Sequence, residues 1–281
     1  MLCLVRAQLY RMFREWSFWF LLALVAVVPV CSAAFAAYLA GDGSLAASLS
    51  ATSSDIARTL DAATGETPVL SLYGSAFVNG SFVAMAACAF TAGFVAPELG
   101  GGKRSGFVKN LLQAPGGRIS YALSQAVAVA VAGALFVVVG IVATALGYGV
   151  AGFSVVPASA GAFALWAVQV WLAVLAYQLV TLVVAFVTKS EWASVILGVF
   201  LGGFAIEKML ALLMGAASLA LNSAPIFAYT VDFLASSSLM AQMQLLARGE
   251  LCGAGVYAVA GAVIAASVAL GLIVMRRRGL G

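Results

Sequence analysis

The chain has 281 residues, of which 64% are hydrophobic and 9% charged, with 14 basic and 10 acidic residues and a net charge of +4. Its mean hydropathy is +1.11. A water-soluble domain carries about 25% charged residues, so these few charges cannot cover a water-facing surface, and the composition specifies an integral membrane protein. The lack of histidine removes the commonest general base and metal ligand. The hydrophobicity excludes disorder, and a small, scattered basic excess excludes a nucleic-acid partner.

The first element is an amphipathic helix over residues 1–16. At 100° per residue, Leu2, Val5, Leu9, Met12, Phe13 and Trp16 fall on one arc, while Arg6, Arg11 and Arg14 lie on other faces. Such a helix lies in the membrane interface with its basic residues near lipid phosphates; it serves equally as a docking surface for a cytoplasmic partner. A first span follows at 17–40. Its apolar run exceeds the roughly 7–15 residues of a secretory signal, and Val30 before Cys31 is not the small residue a lipidation site needs. We read it as a retained span. The loop from Gly41 to Leu72 is rich in small polar residues and carries Asp42, Asp55, Asp61 and Glu66. It reads as a solvated outer loop, with attraction of a cationic substrate as the sharper alternative.

The second span runs over 73–96, and Pro97 with Gly100–Gly102 is expected to end it. Residues 98–118 then form a loop in which a short amphipathic helix is plausible from Arg104 to Gln113. Phe107, Val108, Leu111 and Leu112 share one side of it, Lys103, Lys109 and Asn110 point elsewhere, and Pro115-Gly116-Gly117 stops it. The Gly-Lys pair at 102–103 does not make a phosphate loop. That motif needs glycine at 97 and Ser or Thr at 104, and the chain has Pro97 and Arg104.

Further spans follow at 119–148 and 159–187. An apolar run from Trp192 to Leu221, interrupted by Glu207 and Lys208, reads as one long fifth span over 192–221. Ionisable groups in a span are candidates for a substrate path, although Glu207, about 22 Å along the helix from Trp192, sits nearer the outer surface than the midplane. Gly198 and Gly202 match the small-residue spacing that lets helices approach closely, either within the chain or at a subunit contact. Residues 222–250 form an outer segment of short interfacial or re-entrant helices, and the last span covers 252–275. The four cysteines, Cys3, Cys31, Cys88 and Cys252, have no metal-ligand spacing and read as packing residues.

Each span needs about 20 apolar residues to cross roughly 30 Å, and backbone in lipid must be helical. The expected fold is therefore all-α: a polytopic membrane protein with six transmembrane helices in a single domain over 1–281. With the N-terminus in the cytoplasm, eleven of the fourteen basic residues fall inside, among them Lys189 and Arg276–Arg278, and only Arg58, Lys208 and Arg248 fall outside. A seventh span would put Arg276–Arg278 outside, against this bias.

The layout of an N-terminal basic helix, six spans, cytoplasmic termini and a large outer segment before the last span resembles the permease subunit of ABC-2 type ABC transporters. Locally, Glu98, then Ser105-Gly106-Phe107-Val108-Lys109-Asn110, then Arg118 looks like that family's acid, Gly-x-x-Lys-Asn turn and later basic residue. The pattern is closest to permeases of lantibiotic and bacitracin self-immunity. The chain departs from it at Gly100–Gly102, which lengthens the gap before Gly106, and at Gln125, where many relatives carry lysine after the serine. The resemblance implies an ABC-2 (type V exporter-like) fold in the bacterial cytoplasmic membrane. It implies two permeases, a second copy or a related chain, above two copies of a separate ATPase subunit that binds ATP and Mg2+. This chain would bind no cofactor and catalyse nothing itself. Glu98, Lys103, Arg104, Gly106, Phe107, Val108, Lys109, Asn110, Leu111, Leu112 and Arg118 would couple to the ATPase. Arg6, Arg11 and Arg14, with Lys189–Glu191, would make secondary contacts. Amphipathic, drug-like or peptide substrates would move outward, with Glu207 and Lys208 as the possible path residues. Membrane lipids are the remaining partner. An ion-coupled secondary transporter, a membrane enzyme and an accessory subunit are the other classes. No internal repeat favours the first, and no His, Asp or Glu cluster in the spans favours the second.

Overall fold

The computed structural model of the chain describes residues 2–41, 82–99, 116–151, 159–188, 190–205, 208–209, 212–213, 238–247 and 251–277. Among them are eight helices and no strand: α1 (Leu2–Arg14), α2 (Trp16–Gly41), α3 (Phe82–Leu99), α4 (Gly117–Val150), α5 (Ala160–Thr188), α6 (Glu191–Gly202), α7 (Leu239–Ala247) and α8 (Ala254–Arg277). Helices α2, α4, α5 and α8 are long and apolar enough to cross a membrane, whereas α3 and α6 are shorter apolar helices. The described residues thus hold helices as their only regular structure, and the chain is a multi-pass membrane protein.

Helix α5 is the hub. In its most apolar stretch 67% of the residues are buried inside the chain, against 22% for α2 and α8. It packs on α3, α4, α6, α7 and α8. The outer helices keep faces such as Trp19, Phe20, Val27 and Phe35 on α2, or Leu270 and Ile273 on α8, turned outward. Outward apolar side chains are the expected state of helices solvated by lipid.

Directions follow from the contacts. Phe18 meets Phe136 at 5.7 Å, and the backbone of Pro29 and Val30 lies against Gly147, so α2 and α4 run parallel. Gln169 holds Cys252 by two hydrogen bonds of 2.7 and 3.2 Å, and Phe186 lies against Gly271, so α5 and α8 also run parallel. The chain must therefore travel from the end where α5 stops to the end where α8 starts. We call the first of these ends basic, because Arg11, Arg14, Arg118, Arg276 and Arg277 gather there. The opposite one is the far end. There α7 is tucked against the start of α5: Trp166 Nε1 donates to the Leu246 carbonyl at 3.0 Å, and Met243 and Leu246 are buried. Ser238 caps α7 by accepting from the Ala241 N–H at 3.1 Å.

Three expectations need correction. Pro97 does not end the second helix; α3 continues through it to Leu99. In the last turn a proline removes only the bond to the carbonyl four residues back, here Gly93, and few turns remain to be disturbed. The run from Trp192 is not one long helix. Helix α6 stops at Gly202 after 12 residues, about 18 Å of rise. Gly203 turns, and Phe204 takes a left-handed φ of 58°, a conformation costly for a side chain of that size. The Phe204 ring is nonetheless buried 5.1 Å from that of Tyr177, and this packing holds the turn. Finally, Cys88 and Cys252 are buried packing residues, but Cys3 and Cys31 are exposed.

Glycines set the closest approaches. A Cβ on Gly202 would stand 2.6 Å from the Ala84 carbonyl oxygen and 2.7 Å from Met85 Cα; one on Gly198 would stand 3.1 Å from the Cys88 carbonyl oxygen. The Gly198–Gly202 pair is therefore used inside the chain, on the antiparallel seam of α6 against α3. That answers which of its two readings applies.

Candidate functional site

The residues singled out at the basic end come from four helices. Helix α1 ends at Arg14, two residues before the expected boundary, where Glu15 breaks the run. The Glu15 N–H still bonds the Arg11 and Met12 carbonyls, at 3.1 and 3.2 Å. Trp19 Nε1 donates to the Phe13 carbonyl at 2.8 Å, and the Phe13 ring meets that of Phe18 edge-on at 5.6 Å. Indole and rings together fix how α1 leaves α2. Met12 is fully buried and Leu9 packs on the core, whereas Leu2, Phe13 and Trp16 face outward. Only part of the apolar arc therefore packs on the protein, and the rest is left for lipid.

Arg6 and Arg14 are exposed, as an interfacial helix requires. Arg11 is not on that outer face. It turns inward, pairs with Glu98, donates from Nη2 to the Phe94 carbonyl at 2.6 Å, and stands 3.8 Å over the Phe94 ring. Glu15, one turn on, adds a second carboxylate at 3.8 Å. The physical reason is desolvation. Glu98 is buried, and a buried carboxylate stays charged only with a counter-ion and hydrogen-bond donors around it. Arg11 supplies the charge. Tyr121 donates its hydroxyl to Glu98 Oε2, and Gln125 Nε2 donates to the same oxygen at 2.8 Å and to the Tyr121 oxygen at 3.1 Å. Ser124 turns its hydroxyl back to the Tyr121 carbonyl at 2.8 Å. One carboxylate thus ties the end of α3 to α1 and to the first turns of α4. Beneath it lies an aromatic column: Phe94 stacks on Phe90 at 5.3 Å, and Phe90 meets Phe18 and Phe136 at 5.4 and 5.9 Å.

Two of these partners, Tyr121 and Gln125, were not anticipated as such. The available signal was their spacing of four on the first turns of α4, which puts both on one face. The departure at Gln125 has a structural meaning here: its amide reaches Glu98. Gln8, buried in the middle of α1, was also missed, and its Oε1 has no hydrogen-bond partner among the described residues.

Arg118 lies on the same end but joins a different neighbour. Its Nη1 donates to the Arg276 carbonyl at 3.3 Å, satisfying one of the open carbonyls at the end of α8. Lys103, Arg104, Gly106, Phe107, Val108, Lys109, Asn110, Leu111 and Leu112 lie outside the described residues, as do Lys189 and Glu207. Glu191 is exposed in the first turn of α6, where a carboxylate favours the helix dipole. Ser190 caps that helix by accepting from the Ala193 N–H at 3.4 Å. Lys208 is exposed, and its N–H bonds the Phe204 carbonyl at 2.9 Å.

A second polar cluster sits between α3, α4 and α5. Gln178 is fully buried. Its amide nitrogen reaches only weakly, at 3.4 Å, to the Ala87 carbonyl and to Thr91 Oγ1, and its Oε1 has no hydrogen-bond partner among the described residues. Only glycine fits opposite it: a Cβ on Gly133 would stand 2.2 Å from that oxygen.

Residues 103–205, a little over a third of the chain, match the model of the family described as ABC-2 family transporter protein, and the match supports an ABC-2 type permease. The matched stretch contains α4, α5 and α6; Arg11 and Glu98 lie before it. No curated protein matches the chain.

Proposed function

We propose that the chain is the membrane-spanning permease subunit of an ATP-driven ABC exporter, with six crossings, cytoplasmic termini and ATP hydrolysis in a separate subunit. The observation that supports this reading is the construction of the basic end. The stretch 100–115, within which the family match begins, is flanked by Glu98 and Arg118. Both are anchored, Glu98 to α1 and α4 and Arg118 to the end of α8. A push on that loop would be delivered to four helices at once. In this reading Phe107, Val108, Leu111 and Leu112 fill an apolar groove on the ATPase, and Lys103, Arg104 and Lys109 meet acids at its rim. The exported cargo is amphipathic, in the class of drug-like molecules or peptides.

The test is co-purification. The chain, tagged at its C-terminus and solubilised gently, should bring down a P-loop ATPase in near-equal amount. Phe107→Asp with Leu111→Asp should abolish that association while membrane insertion persists; retained association would sink the coupling role. Glu207→Gln should reduce export less than the loop variant. A gradient-driven carrier is the second reading, and one observation favours it: the interruption at Gly203–Phe204, since such carriers use broken helices. An intact chain free of any ATPase, in a detergent that preserves complexes, would move the assignment there.

A further inference from the structure

Between α4, α5 and α8 a shallow apolar crevice, open to the surroundings, runs from the basic end toward the middle of the chain. Its walls include Ala122, Ala126, Leu182, Phe186, Gly271 and Leu272. Small residues on two walls create it, since Ala122 and Ala126 on α4 and Gly271 on α8 leave space that larger side chains would fill. Residues four apart on a helix share a face. The α4 wall therefore continues downward from Ala122 to Arg118, and the α8 wall from Leu272 to Arg276. The structure joins those two positions at the mouth of the crevice, where Arg118 Nη1 meets the Arg276 carbonyl at 3.3 Å. Arg277 follows, exposed like Arg276, and neither makes an ion pair among the described residues. The start of α4 adds first-turn N–H groups with no helical acceptor, beside Arg118. The end of α8 opposes this with about half a negative charge, which three arginines outweigh.

An apolar slot leading straight into a positively charged mouth matches an acyl chain joined to an anionic headgroup. We infer that this crevice is a specific site for an anionic glycerophospholipid of the leaflet at the basic end, with the phosphate at Arg118, Arg276 and Arg277 and one acyl chain between α4, α5 and α8. The charge complementarity selects the lipid class; a zwitterionic lipid would cover the same apolar walls without engaging the arginines. The site is separate from the Glu98 network and does not depend on an ATPase. A lipid seated there fills the gap beside the hub helix α5 and braces α8 against α4.

The test uses the full chain, delipidated in detergent and titrated with phosphatidylglycerol or phosphatidylcholine, with bound lipid read by native mass spectrometry. The wild type should retain phosphatidylglycerol at least about tenfold more tightly than phosphatidylcholine. Arg118→Gln with Arg276→Gln should weaken phosphatidylglycerol about thirtyfold, the effect of taking two basic side chains away from an anionic headgroup. Gly271→Leu should plug the crevice while keeping every arginine, since its Cβ meets Phe186 at an ordinary 3.7 Å. Ala126→Leu plugs the opposite wall and stands in if Gly271→Leu fails to give a monodisperse protein. Loss of the lipid in the plugged variants carries the site. Equal retention of the two lipids, or wild-type retention by the plugged variants, overturns it.

Discussion

The seam between α3 and α6 and the network around Glu98 hold the same helix, α3, by opposite means. Along the seam, contact is backbone against backbone. Gly202 lies on the Ala84 carbonyl with no room for a methyl group, and Gly198 lies tightly on the Cys88 carbonyl. At the basic end, α3 is held by long polar side chains from α1 and α4 that converge on one carboxylate. Packing of the first kind has a single solution, because rigid main-chain atoms cannot move aside. Contacts of the second kind can lengthen or exchange partners while the helices stay folded. The far half of α3 is therefore fixed to α6, and freedom to move belongs to its basic end, where the proposed ATPase would act.

The strongest way to break this contrast is Gly202→Leu. A side chain there drives into the Ala84 and Met85 backbone and should cost more than about 3 kcal/mol, at the upper end of overpacking. Thermal melting in micelles reads it, and an unchanged midpoint would show that the seam can open. Next is Glu98→Ala, which takes away the buried counter-ion of Arg11 and leaves it the longer 3.8 Å contact with Glu15. The Arg11 side chain is 23% exposed, so water offsets part of the loss and about 2–3 kcal/mol is expected. Adding Arg11→Ala should then cost little more. A double-mutant cycle with no coupling would remove the pair from the account.

Gly133→Ala is a milder probe. The obstructing atom is the end of the Gln178 side chain, not backbone, so about 1–2 kcal/mol should be lost, and Gln178→Ala should restore it. Failure of that rescue would mean that Gly133 serves the backbone of α4 instead.

Much of the helical framework was legible in the sequence because length of apolar run is a one-dimensional signal. The stretches now seen as α2, α4, α5 and α8 stand out by hydropathy alone, and the Arg-bearing helix before them by its periodicity. The break after Gly202 was not legible. Residues Gly202, Gly203 and Phe204 are as apolar as their neighbours, so hydropathy does not change where the backbone does. Arg11 was placed with Arg6 and Arg14 on helical geometry, which cannot see that a buried acid far along the chain would claim one arginine of the three. Glutamines were passed over for a similar reason. Gln125, Gln169 and Gln178 read as weakly polar residues in apolar surroundings, and only the folded neighbours show which carbonyl, carboxylate or glycine each one answers.

The Arg11 contact also has an order in time. Its acceptor Phe94 lies 83 residues further along the chain, so during synthesis α1 and α2 are made well before that carbonyl and Glu98 exist. Until then the arginine has Glu15, one turn on, and the lipid phosphates of the interface as its anions. When α3 emerges carrying Glu98, the arginine is handed from lipid to protein. The pair then marks the moment at which the first two apolar hairpin arms have met, and a chain that fails this exchange leaves an acid buried without its base.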